Sequence, residues 1–371
     1  MSETGNGRKN WTRVVAAVGL VFLAVAGGIV LANANKVINK TEKKDEETPL
    51  ISIGFSQVGA ESDWRTANTE SMKSTFSEEN GYELIFDDAQ QKQENQLTAI
   101  RNFIQQEVDY IVLAPVTETG WDTVLQEAKD AGIPVIIVDR MVDVSDDSLY
   151  TAWVGSNFKL EGQKAMAWLD AYLEAKGRGD EEINLVDIQG TIGASAQIGR
   201  TEGFDEAVEA HDNWTTLAQQ SGEFTQAKGQ EVMESMLKQY DNINVVYCEN
   251  DNEAFGAIDA IEAAGKTVGS DIANGEIMVI SFDTTHAGLQ DVLDGKIECD
   301  VECNPLHGPR AEELIKKLEA GEDVDKQNYV DEEIFAHDDT VKSVKATNSL
   351  DEEKDFDVTP LTQDILDKRA Y

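Results

Sequence analysis

The chain has 371 residues, enough for two domains with accessories, and its 41% apolar content supplies real cores rather than a disordered polymer. Acidic side chains outnumber basic ones 71 to 31, a formal net charge of −40 that repels nucleic acid and anionic lipid headgroups and argues against a phosphate-backbone partner. The same excess serves solubility, with adaptation to salt or a specific cationic partner as further readings.

The amino terminus carries Arg8, Lys9 and Arg13, then an unbroken run of apolar or small residues over 14–32. Ala32-Asn33-Ala34 follows with the small-x-small pattern of a signal-peptidase site, so 1–34 reads as an export signal. The run also approaches the length needed to span a bilayer, which leaves an uncleaved anchor open. No cysteine follows it, so lipid attachment is unsupported. Residues 35–48 are charged and nearly free of apolar side chains, the composition of a flexible linker. The working protein is expected to be extracytoplasmic.

From Leu50 onward, short runs rich in Val and Ile alternate with amphipathic stretches. Strands are expected at 50–56, 82–88, 110–114 and 135–139, and again at 183–189, 245–248, 277–282 and 297–302. Between them, Leu97, Ile100, Ile104 and Val108 recur at helical spacing along one stripe. Gly132-Ile133-Pro134 and Glu79-Asn80-Gly81-Tyr82 end helices and launch strands, and Gly321 follows the helical stretch 311–318. Strands apolar on both faces, alternating with helices, predict parallel sheets covered on each side. The pattern restarts after 150–154, so the fold class is α/β with two similar doubly wound lobes.

Ligands of such sheets collect beyond the carboxyl ends of the strands. Polar residues recur there: Asp139 and Arg140 after one strand, Asp87 and Asp88 after another, then Asn250 with Asp251, and Asp283. Charges cost several kcal/mol to desolvate without partners, so their repetition points to a ligand. A neutral polyol fits, because each hydroxyl both donates and accepts: a carboxylate takes its proton while an arginine or amide donates to its oxygen.

Three cysteines are present. Cys299 and Cys303 sit in one apparent strand, where four residues span roughly 13 Å, too far for a bridge without a bend. Cys248 could pair with either if their strands are neighbours; otherwise all three are small buried thiols. No zinc-type spacing occurs, and no metal or cofactor is expected.

The stretches GFSQVGAESDWR (54–65), DAQQKQENQ (88–96), APVTETGW (114–121) and VDR (138–140) resemble those of a known family. So do QGTIGAS (189–195), SGEFTQAKG (221–229), END (249–251) and SFD (281–283). In this order they resemble the periplasmic sugar-binding proteins of the ribose-, allose- and galactofuranose-binding class, nearest the galactofuranose-binding branch. The resemblance spans 50 to about 350. It implies the type I periplasmic binding protein fold, in which two lobes joined by a three-crossing hinge close on a monosaccharide. Residues 49–154 and about 304–333 would form the first lobe, 155–303 and about 334–350 the second, and 351–371 a tail.

By matching motifs, Asp139 and Arg140 would bind hydroxyls from the first lobe, and Arg200, Asn250 and Asp283 from the second. Glu61, Arg65 and Asp88 would add polar contacts, and Trp64 and Phe224 would sandwich the sugar's C–H faces. The family also places a hydroxyl binder just before the proline at 305, a role open to Glu302, Cys303 or Asn304. The implied output is delivery of the sugar, by a monomer, to the membrane subunits of an ABC importer, or signalling to a sensor if the amino-terminal helix stays in the membrane.

Two rival classes fare worse. A glycoside hydrolase needs two cooperating carboxyls ~5–10 Å apart, whereas Asp87 and Asp88 are strand neighbours facing opposite ways. There is no Gly-x-Ser-x-Gly elbow, His-Glu-x-x-His or phosphate loop, and the four histidines are scattered singly. A sugar-responsive transcription regulator would carry a basic DNA-binding motif where this chain has its export segment and acidic linker.

Overall fold

The computed structural model describes residues 49–348, 350 and 352–371, so the expected export signal (1–34) and charged linker (35–48) lie outside the described residues. No described helix is long and apolar enough to cross a membrane.

Five consecutive parallel strands, most of them joined by helices, build each half. Strands β1 (Ile51–Gln57), β2 (Tyr82–Asp88), β3 (Tyr110–Leu113), β4 (Val135–Val138) and β5 (Ala152–Gly155) alternate with helices α1 (Asp63–Thr75), α2 (Gln93–Gln105) and α3 (Asp122–Ala131). Helix α4 (Phe158–Ala175) opens the second half, where β6 (Ile183–Gln189), β7 (Trp214–Ser221), β8 (Val245–Cys248), β9 (Met278–Asp283) and β10 (Cys299–Glu302) alternate with α5 (Ser195–Ala210), α6 (Gln226–Gln239), α7 (Asp251–Ala263) and α8 (His286–Leu293). The chain then returns with α9 (His307–Glu319) and β11 (Gln327–Tyr329) before β12 (Ile334–Ala336).

The first sheet runs β11-β5-β4-β3-β1-β2, all parallel. The second repeats the 2-1-3-4-5 order as β12-β10-β9-β8-β6-β7, parallel except where β12 joins β10. This is the flavodoxin-like winding, which places a crevice at the carboxyl ends of the strands where the order reverses. Every residue of β3, β4, β5, β8, β9 and β10 is buried, which explains the near-continuous apolar reading of β3, β4, β5 and β8. The expected parallel α/β class is the observed one. Edge strand β7 gave no signal because its sequence, WTTLAQQS, is polar on its half-exposed face.

Three segments link the halves: Ser156 and Asn157 between β5 and α4, Cys303 to Leu306 between β10 and α9, and Val330 to Glu333 between β11 and β12. All three cysteines are free and buried, so the pairing considered for Cys248 is not formed.

Residues 352–371 of the expected tail carry structure of their own. Strand β13 (Ser343–Thr347) pairs antiparallel with β14 (Glu353–Asp357), β15 (Thr359–Pro360) pairs with β12, and the short helix α10 (Gln363–Leu366) follows. Val358 joins one core cluster of the second lobe, and Leu361 and Leu366 join the other, alongside Leu289 and Phe335. Charge-rich sequence hid this: only a few apolar residues punctuate the segment, and they are the ones that dock.

Leu366→Ala should therefore lower unfolding free energy by roughly 2–5 kcal/mol, the range for emptying a buried leucine site. Urea unfolding measures it; a change within about 0.5 kcal/mol, typical of surface positions, would mean the segment does not dock.

Candidate functional site

The carboxyl ends of both sheets face one small cavity. Its walls carry Glu61, Ser62, Trp64 and Arg65 from the start of α1, and Asp139 and Arg140 from the end of β4. From the other lobe come Phe158, Ala196, Arg200, Phe224, Asn250 and Asp283, with Cys303 from the second crossing. The sequence-derived candidates Glu61, Trp64, Arg65, Asp139, Arg140, Arg200, Phe224, Asn250 and Asp283 thus meet in one place.

Two candidates lie elsewhere. Asp88 is exposed at the end of edge strand β2, where its carboxylate accepts from the Gln90 amide at 2.8 Å. Glu302 leads into the second crossing but serves the hinge: its Oε1 accepts from the Tyr371 hydroxyl (2.6 Å) and Arg369 (3.0 Å), and its Oε2 from the Glu333 amide (2.9 Å). Burial pushes the Glu302 carboxyl up, but Tyr371 and Arg369 outweigh it and hold it below its usual range. Position next to the proline was read as a ligand contact; Arg369 and Tyr371, more than sixty residues away in the chain, could not have been paired with it from sequence. Of the three residues considered before the proline, Cys303 reaches the cavity.

The charges are partnered in a chain. Arg65 meets Asp139 at 2.8 Å and Glu61 at 2.9 Å. Arg200 meets Glu161 at 2.7 Å and Asp283 at 3.4 Å, and also donates to the Glu249 carbonyl. Arg140 is the loosest of the three: it donates to the Val116 carbonyl at 3.0 Å, while its nearest carboxylate oxygens, on Glu61 and Asp139, stand at 3.8 and 4.0 Å. Burial and repulsion from Arg65 push the Arg140 guanidinium down to about 10, despite the nearby acids. It therefore has donors to spare for a ligand oxygen. Oε2 of Glu61 is its counterpart, a buried acceptor with no protein partner.

The two wall carboxylates differ. Burial raises Asp139, but Arg65 and Arg140 outweigh it and hold it below its usual range. Burial drives Asp283 well above its range despite Arg200, so Asp283 can present a proton to a ligand oxygen. Asn250 caps α7, accepting from the Glu253 amide at 2.8 Å, while its Nδ2 donates to the Phe224 carbonyl at 3.2 Å.

Backbone geometry aims these groups. Asp139, Phe224 and Asp283 have φ of 64°, 59° and 106°, left-handed conformations that cost a non-glycine residue about 1–3 kcal/mol each. Such strain persists where packing over-determines it, and all three positions line the cavity. Gly190 is the matching relief: a Cβ there would fall within the Phe224 ring. Trp64, Phe158, Ala194, Ala196, Phe224 and Cys303 pack as one apolar cluster, and Arg140 lies 5.0 Å over the Phe224 ring. His307 tilts against Trp64 from behind, pushed down to about 4 by burial and hence neutral.

The lobes are closed. Asn252 Oδ1 accepts from the Asp63 amide (3.0 Å), Gly193 O from the Glu118 amide (2.9 Å) and Ser195 Oγ from the Met141 amide (2.8 Å). Sequence reading missed Phe158 and Glu161. Both sit in the first turn of α4, where an aromatic and an acid look like any amphipathic helix start.

The family profile of the periplasmic binding protein domain matches residues 53–307, and the chain belongs to that family, with its type I fold. It is similar to the galactofuranose-binding protein YtfQ of Escherichia coli (strain K12), 44% identical over 275 residues that cover 73% of this chain and 83% of that protein. A solved structure from Mycobacterium smegmatis in complex with β-D-fucofuranose is 46% identical, with a TM-score of 0.73, over 77% of this chain and 91% of its own. The arabinose transporter's binding component from Shewanella sp. ANA-3, bound to α- and β-L-arabinofuranose, is 40% identical, with a TM-score of 0.71, over 77% and 92%.

Removing Arg65 strands two buried carboxylates, so Arg65→Ala should cost about 3–5 kcal/mol of stability near neutrality. Because Asp139 is held low, its contribution is present above the unfolded value of about 3.9 and fades as pH falls through the folded one. The deficit of Arg65→Ala should thus shrink on acidification. Denaturant unfolding at a series of pH values checks this; a deficit constant from neutrality to about pH 3 would contradict the pairing.

Proposed function

We propose that the protein is an extracytoplasmic solute-binding protein that captures a monosaccharide, in furanose form, by lobe closure and delivers it to an ABC importer. The carrying observation is the cavity itself: guanidinium, amide and carboxyl groups from both lobes converge on one space beside aromatic walls. Arg140 and Asp283 would donate to ring or hydroxyl oxygens, and Glu61 and Asp139 would accept hydroxyl protons. The furanose preference rests on the ligands named for the similar proteins, galactofuranose, β-D-fucofuranose and L-arabinofuranose.

Closure couples binding to signalling. A solute that contacts both lobes stabilises only the closed form, and so shifts the population toward the surface a membrane partner reads. Binding without turnover fits the similar proteins, which are named or described as sugar-binding proteins or as binding components of transporters.

Thermal shift against D-galactose, D-fucose, L-arabinose, D-ribose and D-fructose tests the ligand class. A sugar at about a hundred times its dissociation constant adds about 2.7 kcal/mol of stability, and ¹³C NMR of the bound sugar reports its ring form. No shift with any of the five would sink the reading. Arg140→Ala and Asp283→Ala should each weaken the responding sugar by roughly 2–5 kcal/mol, through partners left buried and unpaired; calorimetry within about threefold of wild type for both would contradict the assigned contacts.

A further inference from the structure

Glu332 ties the three crossings together. It lies on the third; its Oε1 accepts from Ser156 Oγ of the first at 2.6 Å and from the Asn304 amide of the second at 2.9 Å. Glu161, on α4, stands beside it: carboxyl oxygens of the two and Cys303 Sγ lie within 4.8 Å of one another. Glu161 Oε2 is taken by Arg200, but no protein donor reaches its buried Oε1. A bare carboxylate oxygen facing a second carboxyl in a dry site lacks a proton between them.

We propose that Glu161 and Glu332 share one proton, and that this pair is the positioning device that holds Arg200 at the cavity and seats the three crossings in the closed arrangement. Glu161 bridges the two duties, one oxygen on Arg200 and the other toward Glu332. As pH rises the proton leaves, the buried Glu161 anion faces that of half-buried Glu332, and the crossings loosen while Arg200 loses its anchor.

The surrounding charges do not replace that proton. Lys164, on the same helix, gives its Nζ to the Glu332 backbone carbonyl at 3.0 Å, and burial pushes it down. Arg200 of α5 is divided between Glu161 and Asp283 of β9. The remaining facing groups are Tyr247 of β8, Cys303, Glu302 of β10 and Asp331, which are neutral when protonated or add negative charge. Burial accordingly raises both Glu161 and Glu332 above their usual range.

A raised folded value means the stabilisation is complete below the unfolded glutamate value of about 4.3 and is lost as pH rises through the folded one. Glu332→Gln keeps the acceptor for Ser156 and Asn304 and gives Glu161 a permanent donor. Thermal unfolding of the full-length protein without sugar should show Glu332→Gln level with wild type near pH 5 and higher by on the order of 5 °C near pH 9. Glu332→Ala should be lower at both. This readout needs no ligand, so it stands apart from the sugar reading on which the role of Arg200 rests; with a responding sugar, wild-type affinity should fall at least threefold over the same range and that of Glu332→Gln should not. An offset between Glu332→Gln and wild type that is the same at every pH would overturn the shared proton. So would a stoichiometric metal ion, released by chelator, whose removal abolishes the pH effect.

Discussion

Charge buried at the junction of the two lobes is the constraint on which the rest depends. Arg65, Arg140 and Arg200 face Glu61, Asp139, Glu161 and Asp283, with every side chain between 1% and 6% exposed. Each such group costs several kcal/mol to take out of water and must recover it from partners placed to within an ångström. The left-handed backbones at Asp139 and Asp283 are part of that placement, at strand ends whose side chains line the cavity and pair with Arg65 and Arg200. The set is incompletely matched within the protein, with spare donors on Arg140 and a spare acceptor on Glu61.

Topology brings the halves of this set together. Repeating the 2-1-3-4-5 strand order gives each lobe a crevice at the same end of its sheet, and three crossings turn the two crevices toward each other. The hinge is itself polar: Glu332 links all three crossings, and Glu302 fastens the second and third to Arg369 and Tyr371. Hydrogen bonds of this kind can exchange partners as lobes move, whereas a tightly packed apolar hinge would resist small rotations.

The sequence made the central strands legible because each is buried on both faces and reads as an apolar run, and the polar residues ending those runs marked the cavity. Edge strand β7 and the docked segment after residue 351 stayed hidden for the opposite reason: half-exposed elements carry too few apolar residues to show a period. Glu302 was misassigned because its neighbourhood resembled a ligand contact, while its true partners lie at the far end of the chain. Glu161 and Glu332 could not have been singled out among so many acids; only their meeting in space, with Glu161 buried and Glu332 half-buried, separates them from the solvated carboxylates of an acidic surface.

A crystal structure with the sugar that gives the largest stabilisation tests the central claim most directly. The expected density is one ring between Trp64 and Phe224, with oxygens inside hydrogen-bond distance of both Arg140 and Asp283. A sugar bound on one lobe alone, or away from this cavity, would contradict it.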